Sequence, residues 1–386
     1  MSGALDLHKD LRVAIVHDWL TVRGGAERVL DRMLRLFPQA HLYSMVDFMS
    51  EEDRVFLGGA PVKTSFIQGM PWARRGYRSY LPLMPLAVEQ FDLSRYDLVL
   101  SSSHSVAKGV ITGPDQLHIC MCYSPMRYAW DLQNQYLVQT GLHTGLRGVL
   151  ARWFLHRIRI WDARTANGVD RFLAISRFIA RRIWKTYRRE SVVVYPPVDM
   201  DAFPLREEKD DFFVTASRLV PYKKIDLIAA AFRSMPDRRL VVIGDGPEAS
   251  RIASQAGGNV TMLGRQAPAA LLDHMQRARA FILAAEEDFG IAPVEAQACG
   301  TPVIAYGKGG AIETVRGLES PEPTGVFFPE QEPEAVAGAI DLFERERRGI
   351  TPAACRRNAL RFSAPRFDRE FSHQVTVALR AWREGN

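Results

Sequence analysis

Four cysteines in 386 residues are too few and too scattered for a disulfide framework. Cys120 and Cys122 are the one close pair, and Cys-x-Cys without histidine neighbours fits no common zinc spacing. Reduced, partly buried thiols are the reading, which suits a cytosolic protein. Nowhere do ~18 apolar residues run together, so no segment is expected to span a membrane. The opening stretch, MSGALDLHKDLR, lacks the apolar core of a secretory signal. No nucleic-acid-binding module accompanies the basic charge, so nucleic acid is not an expected partner.

What is present is an ordinary globular composition, 47% hydrophobic and 24% charged, at a length that calls for two domains. The net charge of +6 is unevenly spread. Residues 1–195 hold 26 Lys/Arg against 17 Asp/Glu, whereas the remainder is slightly acidic. The first half is therefore the better candidate for meeting an anionic surface.

Short apolar runs ending in small polar residues recur along the chain: LRVAIVHDWL, YDLVLSSSH, HICMCYS and RFLAIS. Amphipathic stretches such as AERVLDRMLRLF separate them, an alternation that predicts a parallel α/β sheet. The Pro-Pro break in VVVYPPVDMDAFP (192–204) ends this series. A second begins with DFFVTAS and continues through RLVVIGDGP, NVTMLG, RAFILAA, PVIAYG and TGVFFPE. The expected organisation is a Rossmann-like domain over 1–195, a second over 196–365 and a terminal helix over 366–386. Two such halves imply a deep cleft, with ligands beyond the carboxyl ends of the strands.

The stretch AAEEDFGIAPVEAQACG places Glu287 and Glu295 on either side of Phe289, Gly290 and Ile291. A strand is expected to end near Ala285, and Pro293 fits the first turn of a helix running to Cys299. The helix start between the acids is a ready anion site. Carboxylates beside such a site are suited to hydroxyl groups of the same ligand. A nucleotide-sugar has both phosphates and hydroxyls. A capped helix with two solvated acids is the structural alternative. In TASRLVPYKKIDLI, Arg218 follows a strand end directly and Lys223 comes five residues later. A planar fork and a point charge suit phosphate oxygens.

These elements, with VIGDGP and CGTPVIAYGKGGAIETV, resemble glycosyltransferase family 4, retaining enzymes of the GT-B fold. HDWLTVRGGAERV, SSSHSVAKG and YSPMRYAWD are similar to bacterial mannosyltransferases of O-antigen and exopolysaccharide synthesis. The resemblance implies that Gly24 and Gly25 let a loop approach the donor diphosphate, which Arg218 and Lys223 clamp. It implies that Glu287 holds the transferred sugar and Glu295 the ribose. Phe289, Gly290 and Ile291 would orient sugar and phosphate, and Leu263, Gly264 and Arg265 would cradle the base. His104 matches a position touching the donor sugar, while Asp18, Arg127 and Asp131 are acceptor-side residues. Glu286 and Asp288 are read as solvated bystanders. The family often has an acid where Tyr222 stands and glycine where Lys224 stands; neither departure alters a clamp residue.

The resemblance further implies front-face attack without an enzyme nucleophile. Asp199-Met200-Asp201 spells a metal motif of another glycosyltransferase fold but follows the Pro-Pro hinge, so no metal and no cofactor are expected. Twelve basic residues between Arg147 and Arg189 are mixed with tryptophans, and MPWARRGYRSYLPLMPL repeats the mixture. Such stretches suit an anionic membrane surface; ordinary helices with solvated arginines are the alternative. The expected function is transfer of a sugar, foremost mannose from GDP-mannose, to a lipid-diphosphate-linked glycan. The expected place is peripheral, on the inner face of the cytoplasmic membrane. A UDP-sugar transferase, another nucleotide-sugar enzyme such as an epimerase, and a non-catalytic nucleotide-sugar-binding protein are the alternatives.

Overall fold

The computed structural model describes residues 10–385, so most of the opening stretch read for a secretory signal lies outside the described residues. The backbone divides into two compact units. The first runs to Pro196 and resumes at Phe367; the second is Pro197–Arg366.

In the first unit the apolar runs form β1 (Val13–His17), β2 (His41–Ser44), β3 (Val62–Thr64), β4 (Leu98–Ser103), β5 (Leu117–Cys122), β6 (Arg171–Ala174) and β7 (Ser191–Val193). All pair in parallel in the order β3-β2-β1-β4-β5-β6-β7. β1, β4 and β5 are buried along their whole length, as parallel strands with both faces covered must be. The three serines ending β4 are buried with them, so their hydroxyls need partners. Ser101 meets His118 at 2.8 Å, and Ser102 meets His17 at 2.9 Å and Tyr123 at 2.7 Å. His118 titrates down at about 4, chiefly because burial disfavours its charge.

The second unit contains β8 (Phe213–Ala216), β9 (Leu240–Ile243), β10 (Val260–Gly264), β11 (Ala280–Leu283), β12 (Val303–Tyr306) and β13 (Gly325–Phe328). They are parallel in the order β10-β9-β8-β11-β12-β13. Alternate residues of β8 feed opposite cores: Phe213 packs with Phe232 and Phe343, and Val214 with Phe281 and Val303. β11 stops at Leu283, two residues before the expected strand end.

Each sheet reverses its strand order once, between β1 and β4 in the first unit and between β8 and β11 in the second. In doubly wound sheets such switch points open the crevices where ligands bind. The α/β class expected from the alternation is thus present twice.

The terminal helix, Ala364–Gly385, ends in the first unit. Phe367 and Phe371 stack at 5.4 Å, and Phe371 meets Phe37 edge-on at 6.4 Å. Asp368 pairs with Arg32, and Arg171 donates to Gln374 at 2.7 Å. All four cysteines are free and buried.

Candidate functional site

In the first unit the site is built at the β1/β4 switch. Asp18 follows β1 directly and is fully buried. Its carboxylate accepts four consecutive backbone N–H groups, from His104 (2.6 Å), Ser105 (2.9 Å), Val106 (2.7 Å) and Ala107 (2.7 Å). It also meets His104 Nδ1 at 3.0 Å. Burial alone would raise the Asp18 carboxyl, but the charge and hydrogen bonds of His104 and the loop N–H groups outweigh it and hold it at about 2. Burial would lower the His104 imidazole, yet Asp18, helped by Glu27, raises it above its ordinary value. Asp18, expected on the acceptor side, has no exposed surface, and its carboxylate meets only the loop and His104 among the described residues.

The far end of this loop is fixed as firmly. Lys108 is buried and pairs with Asp162, which also accepts Trp130 Nε1 at 2.7 Å and the Tyr187 hydroxyl at 2.8 Å. His104 keeps 35% of its side chain exposed, with the Trp19 ring centre 4.6 Å from its own and the two rings nearly perpendicular. An imidazole seated on a buried carboxylate with its other edge open can present one nitrogen to a ligand.

Gly24 and Gly25 begin the helix Gly25–Leu36, and the Gly24 N–H already donates to Glu27 at 2.8 Å. A Cβ on Gly24 would lie 3.1 Å from that carboxylate, a tight approach that the Glu27 side chain would have to yield to by a few tenths of an ångström. Glu27 is buried and 3.4 Å from His17, a role that the sequence signals only through an acid three residues after a glycine. Arg127 and Asp131 lie on the segment after β5, which the Tyr128–Ser105 hydrogen bond (2.8 Å) ties to the His104 loop. Asp131 pairs with Arg182 of the helix Arg177–Tyr187 at 2.8 Å.

In the second unit the residues converge at the β8/β11 switch. Arg218 is exposed just past β8, and Lys223 closes the one-turn segment Pro221–Lys223. Lys223 pairs with Glu287, on the loop after β11. One of the two departures from the family touches Arg218 and Lys223. The Tyr222 hydroxyl accepts from Arg218 Nη2 at 2.9 Å, and Lys223 Nζ lies 5.4 Å from the Tyr222 ring centre. Lys224 adopts the left-handed conformation, φ 55°, that a glycine would take freely.

Gly290 caps the helix Ile291–Ala298 at φ 84°, a backbone that glycine tolerates. Its loop is braced by Gly310, whose N–H donates to the Glu287 carbonyl at 2.7 Å. A Cβ on Gly310 would stand 2.4 Å from Phe289 Cα, so only glycine admits this contact. The GKGG run is the sequence signal for this contact. Phe289 is buried, and Glu295 keeps only 6% of its surface exposed. Glu286 and Asp288 are half-buried rather than solvated. Leu263 and Gly264 end β10, two strands from β8, and Arg265 follows it; Gly264 accepts from the Gly244 N–H at 2.8 Å. Asp199 accepts the Asp201 N–H at 3.1 Å, so the Asp-x-Asp run forms a local turn.

Comparison with known proteins follows this division. Residues 23–202 match the family described as Glycosyltransferase Family 4, and residues 198–362 match Glycosyl transferases group 1. D-inositol 3-phosphate glycosyltransferase of Mycobacterium marinum is 30% identical over 239 residues, 53% of this chain and 48% of that protein. The Mycobacterium bovis protein of the same name is 32% identical over 235 residues, again 53% and 48%. The chain spans about half the length of these curated relatives. In three dimensions it resembles Anabaena HepE in complex with UDP and glucose, with TM-score 0.68, 18% identity, and 95% and 99% of the two chains covered. It also resembles sucrose-phosphate synthase from Thermosynechococcus elongatus, with TM-score 0.70, 16% identity, and 96% and 100% covered. At those identities the likeness is one of fold, the two-domain GT-B architecture.

Proposed function

The chain belongs to glycosyltransferase family 4, and from that premise we propose that it transfers a sugar from a nucleoside-diphosphate donor with retention of configuration. One observation carries this reading. Arg218, Lys223, Glu287 and the Gly290-capped helix start gather at a single strand switch, the β8/β11 crevice. Two cations and a helix N-terminus suit a diphosphate, and a carboxylate beside them suits sugar hydroxyls. The 263–265 loop is two strands away, about 10 Å at ordinary strand spacing, a reach suited to the nucleoside.

In the reaction, the bond from the sugar's anomeric carbon to the diphosphate breaks. The acceptor hydroxyl bonds to that carbon on the same face, and its proton passes to a phosphate oxygen. Arg218 and Lys223 stabilise the charge on the departing diphosphate, which needs no metal in this reading. Glu287 holds the transferred sugar and Glu295 the ribose. The family resemblance assigns His104 to the donor sugar and Arg127 and Asp131 to the acceptor.

Mannose from GDP-mannose, passed to a lipid-diphosphate-linked glycan, is the finer reading, resting on the similarity to O-antigen mannosyltransferases. The UDP-sugar reading has its own support, since HepE was solved with UDP-glucose. A thermal-shift panel of GDP, UDP, GDP-mannose and UDP-glucose decides between them, because a bound ligand raises the unfolding temperature. A rise with the GDP pair alone supports mannose, and a rise with the UDP pair alone overturns it. No rise with any would defeat the donor assignment.

Contact with an anionic membrane belongs to the same proposal. No helix among the described residues is long and apolar enough to cross a bilayer. The helix Gly145–Thr165, however, carries apolar residues on two faces. Gly148, Leu155 and Ile158 are buried, while Leu146, Val149, Leu150 and Trp153 form an exposed stripe, Trp153 at 62%. Arg157 and Arg164 on the same helix are exposed; Arg152, Arg159, Arg182 and Arg189 are held by internal hydrogen bonds or ion pairs. Flotation with anionic liposomes at low salt tests this. Protein left wholly in the soluble fraction defeats it.

A further inference from the structure

Tyr222 sits in the middle of the Pro221–Lys223 turn, 37% exposed and outside both apolar clusters of its unit. Packing therefore gives no reason for an aromatic residue here. Its contacts do. The hydroxyl accepts from Arg218 Nη2 at 2.9 Å, and the ring lies under Lys223 Nζ at 5.4 Å. Both of these side chains are the cations assigned to the diphosphate. The turn that carries the ring is closed two residues on: Lys224 is left-handed, and its N–H donates to the Pro221 carbonyl at 3.3 Å.

A free arginine side chain carries about 2 kcal/mol of rotamer entropy. Pinning it before the ligand arrives removes part of that loss from binding. A carboxylate at 222 would pin the guanidinium more strongly but would oppose its charge. A neutral phenol pins it and leaves the charge intact. The ring also offers Lys223 a second seat, by cation–π attraction, when Glu287 turns to a ligand's hydroxyls.

We propose that Tyr222 is a positioning residue of the clamp, holding Arg218 and Lys223 in place while leaving their positive charge for a nucleoside diphosphate. The proposal rests on the nucleotide-sugar reading above. It is tested by titrating wild type, Tyr222→Phe and Tyr222→Glu with GDP and UDP in a calorimeter at low and high salt, with guanosine and uridine as phosphate-free controls.

Tyr222→Phe keeps the ring and loses the hydroxyl. Its affinity for the nucleoside diphosphate is expected to fall about three- to tenfold, the worth of one hydrogen bond. Affinity for the nucleoside and the unfolding temperature should stay at wild-type values. Tyr222→Glu should lose more at low salt than at high salt, because salt screens the added charge. Tyr222→Phe binding as tightly as wild type overturns the positioning role alone, as does an equal loss toward the nucleoside. Wild type binding neither GDP nor UDP overturns the donor reading itself, and the positioning role with it.

Discussion

The two units solve the same problem at the same topological place by different means. Each sheet reverses at its fourth strand, and each presents a basic side chain just beyond the carboxyl end of a strand. At β1/β4 the basic group is His104, seated on a carboxylate with no exposed surface and on a loop whose four N–H groups that carboxylate also takes. At β8/β11 the cations are Arg218 and Lys223, held from the side by a phenol and by Glu287, all of them partly open to solvent. The first arrangement is part of the fold; the second can exchange partners. A rigid seat suits a group that must stay where it is, and an exchangeable one suits groups that must release each other to take a ligand. Substitution should therefore cost stability in one unit and function in the other.

The largest effect is expected at Asp18. Asp18→Ala strands four buried N–H groups and the imidazole together, which should cost about 3–5 kcal/mol of unfolding free energy. Urea unfolding measures it, and a loss under 1 kcal/mol would mean that the loop does not depend on the carboxylate. Glu287→Ala should behave in the opposite way. Its pair with Lys223 is partly exposed, so stability should change by less than about 1 kcal/mol. Release of nucleoside diphosphate from the donor identified by the panel should slow about a hundredfold, as when a transition-state contact is removed. Turnover at the wild-type rate would break the contrast and favour the non-catalytic alternative.

Why one half of this contrast is legible from sequence and the other is not follows from the contacts. Strands such as VAIVH and LHICMC are apolar because both faces are covered, and burial of that kind is written in consecutive residues. The β8 turn is also local: Arg218, Tyr222 and Lys223 lie within six positions, so the clamp could be read. The contacts of the phenol could not, because a tyrosine on an exposed turn does not announce which side chain its hydroxyl meets. Asp18 meets its loop across 86 positions, and nothing near it in the chain distinguishes a buried anchor from an exposed acid. The helix Gly145–Thr165 shows a further limit. Its apolar residues lie on two faces, and periodicity alone does not say which face is inward.

The Asp18–His104 pair should also show in the pH dependence of stability. His104 titrates above its ordinary value in the fold, so its contribution is complete below about pH 6.5 and is lost as the pH rises through the folded value. Asp18 is held at about 2, so its contribution is present above about pH 3.9 and is lost only as the pH falls toward 2. The pair is thus strongest between those limits. The stability difference between wild type and His104→Gln should be greatest near pH 5 and should shrink on the alkaline side. A difference that grows from pH 6 to pH 9 would reverse the sign of the coupling.

The smallest effect separates backbone from side chain within the exchangeable unit. Lys224 holds φ 55°, a conformation that costs a residue with a Cβ about 1–2 kcal/mol. Glycine removes that strain but gives back part of the gain, because it loses more freedom on folding. Lys224→Gly should therefore stabilise the protein by about 0.5 kcal/mol, with nucleoside diphosphate affinity within about twofold of wild type. If only the turn matters, Tyr222 stays in place and both clamp cations with it. A stabilised variant that binds several-fold more weakly would instead assign the Lys224 ammonium to the ligand. The clamp would then hold three cations, and the second unit would carry still more of its chemistry on its surface than the first.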